Sequence, residues 1–210
     1  MNWDKAVNGL LPVIIIDDAT GDVLMQGYMN EDSLARTQAQ QKVWFWSRSK
    51  GRLWLKGETS GHFLHVVSMA EDCDQDTLLI RVIPEGPTCH TGARTCFGEG
   101  QGGIFTQLDN VLAERAAAVA EGGTDLLSMS YTQLLMMSNN RMAKKIGEET
   151  AEFLMAFAAT VPGEEPPPEE TLQALVEEAS DVIFHLAVAL HSRGVLLADV
   201  QRELANRRKL

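Results

Sequence analysis

The hydrophobic rhythm of the chain changes near its midpoint. Over residues 1–104, apolar residues come in short runs broken by turn-forming residues. The run at 11–17 (LPVIIID), the D-A-T-G-D stretch at 18–22 and the resumption at Val23, Leu24 and Met25 predict a hairpin. Asn30 follows as a candidate cap for a short helix reaching about Gln40. Residues 42–47, 53–56, 63–69 and 77–83 are further predicted strands. Past a glycine-rich stretch at 98–103 the period becomes helical. It predicts helices over 105–121, 130–137, 139–160, 169–192 and 196–208, with the proline-rich 162–168 as a surface loop. The expected fold class is therefore two domains joined by a flexible linker. Residues 1–104 form a β-rich α+β domain, and residues 105–210 form an all-α helical bundle.

Composition narrows the partners. The 210 residues are 45% apolar and 22% charged, which is ordinary for a globular protein. No apolar run is long enough to cross a bilayer. A net charge of −11 argues against non-specific binding of nucleic acid. The expectation is a cytoplasmic protein without a nucleic-acid or membrane partner.

Candidate chemistry concentrates in D-C-D-Q-D at 72–76 and C-H-T-G-A-R-T-C-F at 89–97, which contain all three cysteines, Cys73, Cys89 and Cys96. Three thiolates with a fourth position open is the arrangement of a catalytic zinc. Inert core cysteines remain the competing reading, because the chain lacks the paired C-x2-C of common zinc sites. Asp72, Asp74 and Asp76 alternate around Cys73. If the strand predicted at 77–83 extends back through them, they form a carboxylate row on one face, suited to magnesium. Cys73 would then point to the opposite face unless the segment curls. A solvated acidic loop is the plainer alternative.

The helical half carries a second acid set. At 100° per residue, Arg141, Lys145, Glu148 and Glu152 share one face of their helix, and Met142, Ile146, Phe153 and Phe157 share another. Base before acid is the poorer order for i, i+4 pairs, and cations near a helix start oppose its dipole. The pattern suits bases that grip phosphate and acids that grip a divalent metal. Glu178 and Asp181 recur three apart on the next helix, at the edge of a predicted apolar stripe of Leu172, Leu175, Val176, Ala179, Ile183, Leu186 and Leu190. Two facing helices can aim four carboxylates at one metal cluster. Surface salt bridges are the alternative, and His185 reads as a packed core histidine.

These motifs carry a resemblance over nearly the whole chain. The segments W-S-R-S-K-G-R-L-W (46–54), K-G-E-T-S-G-H (56–62), D-C-D-Q-D-T-L-L (72–79) and G-P-T-C-H-T-G-A-R-T-C-F (86–97) resemble phosphoribosyl-AMP cyclohydrolase. The segments S-Y-T (130–132), R-M-A-K-K-I-G-E-E (141–149) and E-A-S-D-V-I-F-H-L (178–186) resemble phosphoribosyl-ATP pyrophosphohydrolase. Together they resemble the bifunctional histidine-biosynthesis family in which the two are fused.

The resemblance implies Zn2+ held by Cys73, Cys89 and Cys96, with ligands drawn from both subunits of a homodimer. It implies Mg2+ at Asp72, Asp74 and Asp76. In the second domain, similar to the all-α nucleoside-triphosphate pyrophosphatases, it implies Mg2+ at Glu149, Glu152, Glu178 and Asp181, with Glu148 as an accessory. The substrates implied are small nucleotides. Phosphoribosyl-ATP loses pyrophosphate in the helical domain, with Glu149 a candidate to orient water and Arg141, Lys144 and Lys145 to neutralise phosphate. Phosphoribosyl-AMP is then opened at N1–C6 in the first domain, with His90 as the candidate proton shuttle. Arg48, Lys50 and Arg52 are candidate phosphate grips there. Lys56, Glu58, Thr59 and Ser60 are candidate pocket residues, and Trp46 or Trp54 could stack on the purine. Two rival readings remain. One is a non-enzymatic zinc module on a helical dimerisation domain. The other is a general nucleotide pyrophosphatase with a structural zinc domain.

Overall fold

The structure is a computed structural model that describes residues 1–98, 102–121, 129–160 and 167–208. Part of the expected linker (99–101) and most of the expected proline-rich loop (162–166) lie outside these residues. The chain divides into two compact units, Met1–Gln107 with Gln201–Leu210, and Leu108–Val200. No helix among the described residues is long and apolar enough to cross a membrane.

The first unit is strand-rich. Strands β1 (Leu11–Asp17), β2 (Val23–Met29), β5 (Leu64–Glu71) and β6 (Leu78–Pro84) form one sheet in the order β2-β1-β6-β5. β1 pairs antiparallel with β2, as the hairpin pattern predicts, but parallel with β6. The long return between β1 and β6 carries helix α1 (Glu31–Gln40) and the hairpin β3 (Trp44–Ser47)–β4 (Arg52–Leu55). Alternation along β1 buries Leu11, Val13 and Ile15, and the last two pack with Leu24, Phe45, Ile80 and Val82 into one core. Asn30 caps α1 as expected, in a reciprocal capping box. Its Oδ1 accepts from Ser33 N at 2.9 Å, and its N–H donates to Ser33 Oγ at 2.8 Å. Gly27 has no substitute, since a Cβ there would lie 2.3 Å from the Phe45 ring.

The second unit is helical. It is built from α2 (Ile104–Ala120), α3 (Tyr131–Met136), α4 (Asn139–Ala159), α5 (Glu169–His191) and the start of α6 (Leu197–Arg207). Ser130 and Ser138 cap α3 and α4. The core gathers Leu112, Leu135, Met142, Ala187, Val188 and Leu197. The stripe expected on α5 is displaced from this core: Leu172, Val176, Ile183 and Leu186 are exposed, as is Phe157 on α4. The side of α5 that packs inward carries His185, Ala187, Val188 and His191 instead. Two polar histidines interrupt the apolar pattern of that side, and Leu172, Val176, Ile183 and Leu186 are left facing outward while Leu190 packs against the core.

Candidate active sites

In the first unit a cleft of about 660 Å3 opens beside the β3–β4 hairpin. Its wall includes Cys89, Cys96, His90 and Lys56, together with Lys50, Thr59 and Ser60. The turn after β4 builds one side. Gly57 adopts φ +94°, and a Cβ there would lie 2.6 Å from the His62 carbonyl oxygen, so only glycine lets the chain fold back and present Lys56, Thr59, Ser60 and His62 together. The opposite side is the loop between the two thiols. Cys89 N donates to Ala93 O at 3.0 Å, and Cys96 N donates to Leu24 O at 2.8 Å.

All three cysteines are free, and none is buried, which removes the reading of inert core thiols. The Thr91 hydroxyl, 3.2 Å from Cys89 Sγ, and the Thr91 N–H hold the Cys89 thiol below its ordinary range. Partial desolvation by the surrounding protein pushes the Cys96 thiol up although the residue keeps solvent access, as does the neighbouring Cys89. Lys56 is only 6% exposed, and burial lowers its ammonium pKa against the opposing pull of Cys96 and Cys89. A buried cation facing two thiols favours their ionised form. His90 Nδ1 stands 3.8 Å from Cys89 Sγ.

Cys73 is not in this cleft. It sits on the turn between β5 and β6 beside Asp74, and no group of three thiol or imidazole ligands converges among the described residues. The same turn changes the expected carboxylate row. Asp72, Asp74 and Asp76 do not lie along a strand. Gln75, at φ +62°, reverses the chain, and the curl gathers the three carboxylates within 4.8 Å of one another. Asp72 Oδ1 accepts from Asp76 N (2.9 Å) and Thr77 N (3.0 Å), and the Thr77 contact leads in holding its carboxyl low. Lys5 Nζ lies 2.6 Å from Asp74 Oδ2 and 3.8 Å from Asp76 Oδ2, supplying positive charge to the trio.

The remaining candidates of this unit scatter. The register pairs Phe45 with Trp54, so Trp54 shares the Phe45 side of the hairpin and reaches the cleft, while Trp46 points to the other side. Arg52 turns back to Glu58 at 2.5 Å, so these two grip each other outside the cleft. Arg48 stacks 3.8 Å over the Tyr28 ring and lines a separate cleft with Lys5 and Asp76. Ser47, Ser49 and His62 line the thiol cleft without having been singled out. All three fall inside or beside the quoted motifs, which was their one available signal.

In the second unit, Glu149, Glu152 and Glu178 bring carboxylate oxygens within 4.8 Å of one another across α4 and α5. Glu149 is 4% exposed. Asp181, one turn further on α5, is outside that tight group but close enough to act on it. Burial raises the Glu178 pKa, and Glu152, Asp181 and Glu149 raise it further. The salt-bridge alternative is also present: Lys144 pairs with Glu148 at 3.4 Å and Lys145 with Glu149 at 2.5 Å. Among the described residues these pairs leave Glu152 and Glu178 without a cation, so pairing alone does not account for the cluster. Arg141 is exposed at the start of α4. His185 is buried, donates through Nδ1–H to Asp181 O at 2.8 Å, and lies 4.0 Å from Glu149.

Comparison with known proteins follows the same division. Residues 25–98 match the family model of phosphoribosyl-AMP cyclohydrolase, and residues 106–208 match that of phosphoribosyl-ATP pyrophosphohydrolase. The histidine biosynthesis bifunctional protein HisIE of Photobacterium profundum is 44% identical over 216 residues, covering 99% of this chain and 96% of that protein. The proteins of the same description from Escherichia coli and Pasteurella multocida are 45% and 46% identical, each over 99% of this chain and over 95% and 98% of their own lengths. The chain therefore belongs to the bifunctional histidine-biosynthesis family that joins a phosphoribosyl-AMP cyclohydrolase domain to a phosphoribosyl-ATP pyrophosphohydrolase domain.

Proposed function

We propose that the acid cluster of α4 and α5 and the thiol cleft beside β3–β4 are the working centres of the two hydrolases, in domains spanning residues 105–210 and 1–104. The two reactions are consecutive steps of histidine biosynthesis: phosphoribosyl-ATP gives phosphoribosyl-AMP and pyrophosphate, and phosphoribosyl-AMP is then opened at N1–C6. One observation carries the reading. Each matched domain gathers its own candidate ligand side chains, three carboxylates across α4 and α5 in one, and in the other two thiols lining a cleft, with a separate carboxylate trio on the β5–β6 turn.

In the helical domain, of the nucleoside-triphosphate pyrophosphatase type, Glu149, Glu152, Glu178 and Asp181 would hold Mg2+. The fit rests on three converging carboxylates; desolvation raises the Glu178 pKa, and repulsion from Glu152, Asp181 and Glu149 raises it further, a repulsion that a divalent cation removes. Bound magnesium supplies neutralising charge to the triphosphate and the leaving pyrophosphate. Lys145 pairs with Glu149 at 2.5 Å and fixes the direction of its carboxylate, which suits Glu149 to orient the attacking water. Arg141 and Lys144 add cations from the same helix, and Glu148 holds Lys144 in place.

In the first domain, Cys89 and Cys96 would hold Zn2+ with Cys73 of a second copy. The fit rests on two accessible thiols, Cys89 half-buried and Cys96 exposed, beside a buried lysine, and on a third thiol that one chain keeps apart. Bound zinc supplies Lewis acidity that ionises water near neutral pH. His90 takes up the proton of the adding water and delivers it to N1 as the N1–C6 bond breaks. Lys50, Thr59 and Ser60 stand where the phosphoribosyl groups would be gripped, and Trp54 offers a face to the purine. Asp72, Asp74 and Asp76 would hold Mg2+ once Lys5 gives way. The outward apolar stripe of α5 also supports a homodimer.

The test is a spectroscopic assay on phosphoribosyl-ATP with Mg2+ and Zn2+. Wild type releases pyrophosphate and opens the ring. Cys89→Ala stalls at phosphoribosyl-AMP, and Glu149→Gln leaves phosphoribosyl-ATP uncut. Zinc-replete wild type that opens no ring, even when given phosphoribosyl-AMP, would remove the cyclohydrolase reading.

A further inference from the structure

Six residues separate Cys89 from Cys96, and Arg94 is the one basic side chain among them apart from His90. The loop backbone is closed by Cys89 N to Ala93 O (3.0 Å) and by Thr88 N to Arg94 O (3.2 Å). The side chain of Arg94 reaches across to the β1–β2 turn. Nη2 donates to Asp17 Oδ2 at 2.9 Å and to Thr20 Oγ1 at 2.7 Å, and Nη1 donates to the Asp22 carboxylate.

Both aspartates are buried, at 4% and 3% exposure. Neither is free to follow the arginine. Asp17 Oδ1 accepts from Ala19 N at 2.9 Å. Asp22 Oδ1 accepts from Gly103 N at 2.7 Å, and Asp22 Oδ2 accepts from Thr106 Oγ1 at 2.6 Å. The two acids are thus a fixed anchor on the end of a core strand. A planar guanidinium bridging two fixed carboxylates is held in direction as well as in distance, which a lysine ammonium cannot reproduce. Buried carboxylates without that cation would repel each other.

We propose that Arg94 is a positioning residue that sets the spacing of the Cys89 and Cys96 thiols by clamping their loop to Asp17 and Asp22. The inference rests on the reading of the cleft as the zinc site. Two thiolates on one zinc must sit at a separation dictated by Zn–S bonds of about 2.3 Å. A loop left to itself would sample many separations and lose entropy when metal bound. The clamp removes that freedom beforehand.

The experiment uses the full chain with Arg94→Lys and, as a milder variant that strands no charge, Thr20→Val. Zinc affinity is read by competition with a chromogenic chelator. Thiol spacing is read without metal, in a Cys73→Ser background, by the rate at which a trivalent arsenical captures the two remaining thiols. Arg94→Lys is expected to weaken zinc roughly 10- to 100-fold, the usual range for groups that orient metal ligands. It should also slow arsenical capture while the total thiol titre stays constant. Thr20→Val moves both in the same direction by less. Variants with wild-type zinc affinity and wild-type capture rate overturn the proposal, even if their unfolding midpoint falls, since a merely structural role moves only that midpoint. A wild type that binds no zinc sinks the zinc reading instead, and the capture rates still decide the role of Arg94.

Discussion

His191 Nε2 and Asp109 Oδ1 meet at 2.8 Å in the interior of the helical unit, and the same carboxylate caps α6 by accepting from Leu197 N (2.8 Å) and Ala198 N (3.0 Å). One acid on α2 thereby fixes the end of α5 and the start of α6. Asp109→Ala leaves a buried histidine and two helix-start N–H groups without a partner, which should cost about 3 kcal/mol. Chemical denaturation followed by circular dichroism at the helix band measures this. Tryptophan fluorescence should move less, because all four tryptophans lie in the first half. Asp109→Asn keeps an acceptor and should lose less.

Acid sensitivity of the first unit should trace to Asp22. Burial opposes ionisation of its carboxyl, but the Thr106 hydroxyl, the Gly103 N–H and Arg94 outweigh it and hold the pKa below the ordinary carboxylate value. A depressed folded pKa means stability that is complete above the unfolded value near 3.8 and is lost as pH falls through the folded value. Denaturation midpoints from tryptophan fluorescence should therefore drop steeply below about pH 4 in wild type. Asp22→Asn should be less stable at pH 7 and show a shallower decline in acid.

Glu178 should make the metal-free helical unit pay for its own active site. Its carboxyl is disfavoured by burial and by Glu152, Asp181 and Glu149. Glu178→Gln is expected to raise the unfolding midpoint at pH 7 in chelator, and wild type is expected to gain a stabilisation from Mg2+ that the variant lacks. Equal Mg2+ stabilisation in both proteins would remove Glu178 from the metal site.

Separation of Cys73 from Cys89 and Cys96 makes the proposal of a zinc site shared between two copies testable by mixing. Cys73→Ser and Cys89→Ser should each fail to open the purine ring alone. Refolded together they should recover roughly a quarter of wild-type ring opening, because half of the dimers are mixed and each has one complete site. No recovery, with mixed dimers present, would place all ligands within one chain.

Local patterns were legible in the sequence. The Asn30 cap, the β1–β2 hairpin and the five helices among the described residues of the second half all follow from neighbours a few residues apart, where period and capping chemistry act. The candidate sites were legible as sets but not as arrangements. Lys50, Lys56, Thr59, Ser60 and His90 do share a cleft with Cys89 and Cys96, but Arg52 and Glu58 satisfy each other and Arg48 stacks on Tyr28. A motif says which groups are present; whether two opposite charges meet each other or a ligand depends on where the backbone turns them.

By itself, the sequence determined that this protein has a strand-rich half and a helical half, each with its own ligand chemistry, because side-chain type and short-range period require no knowledge of the fold. Tertiary structure alone decided what sits beside what. It curled Asp72, Asp74 and Asp76 around a left-handed Gln75 instead of aligning them along a strand, and it buried Glu149 against Glu152 and Glu178. It also tied Arg94 to Asp17 and Asp22, more than seventy residues away in the chain. Such contacts are set by sheet register and helix packing, which join residues distant in sequence and leave no periodic trace in it.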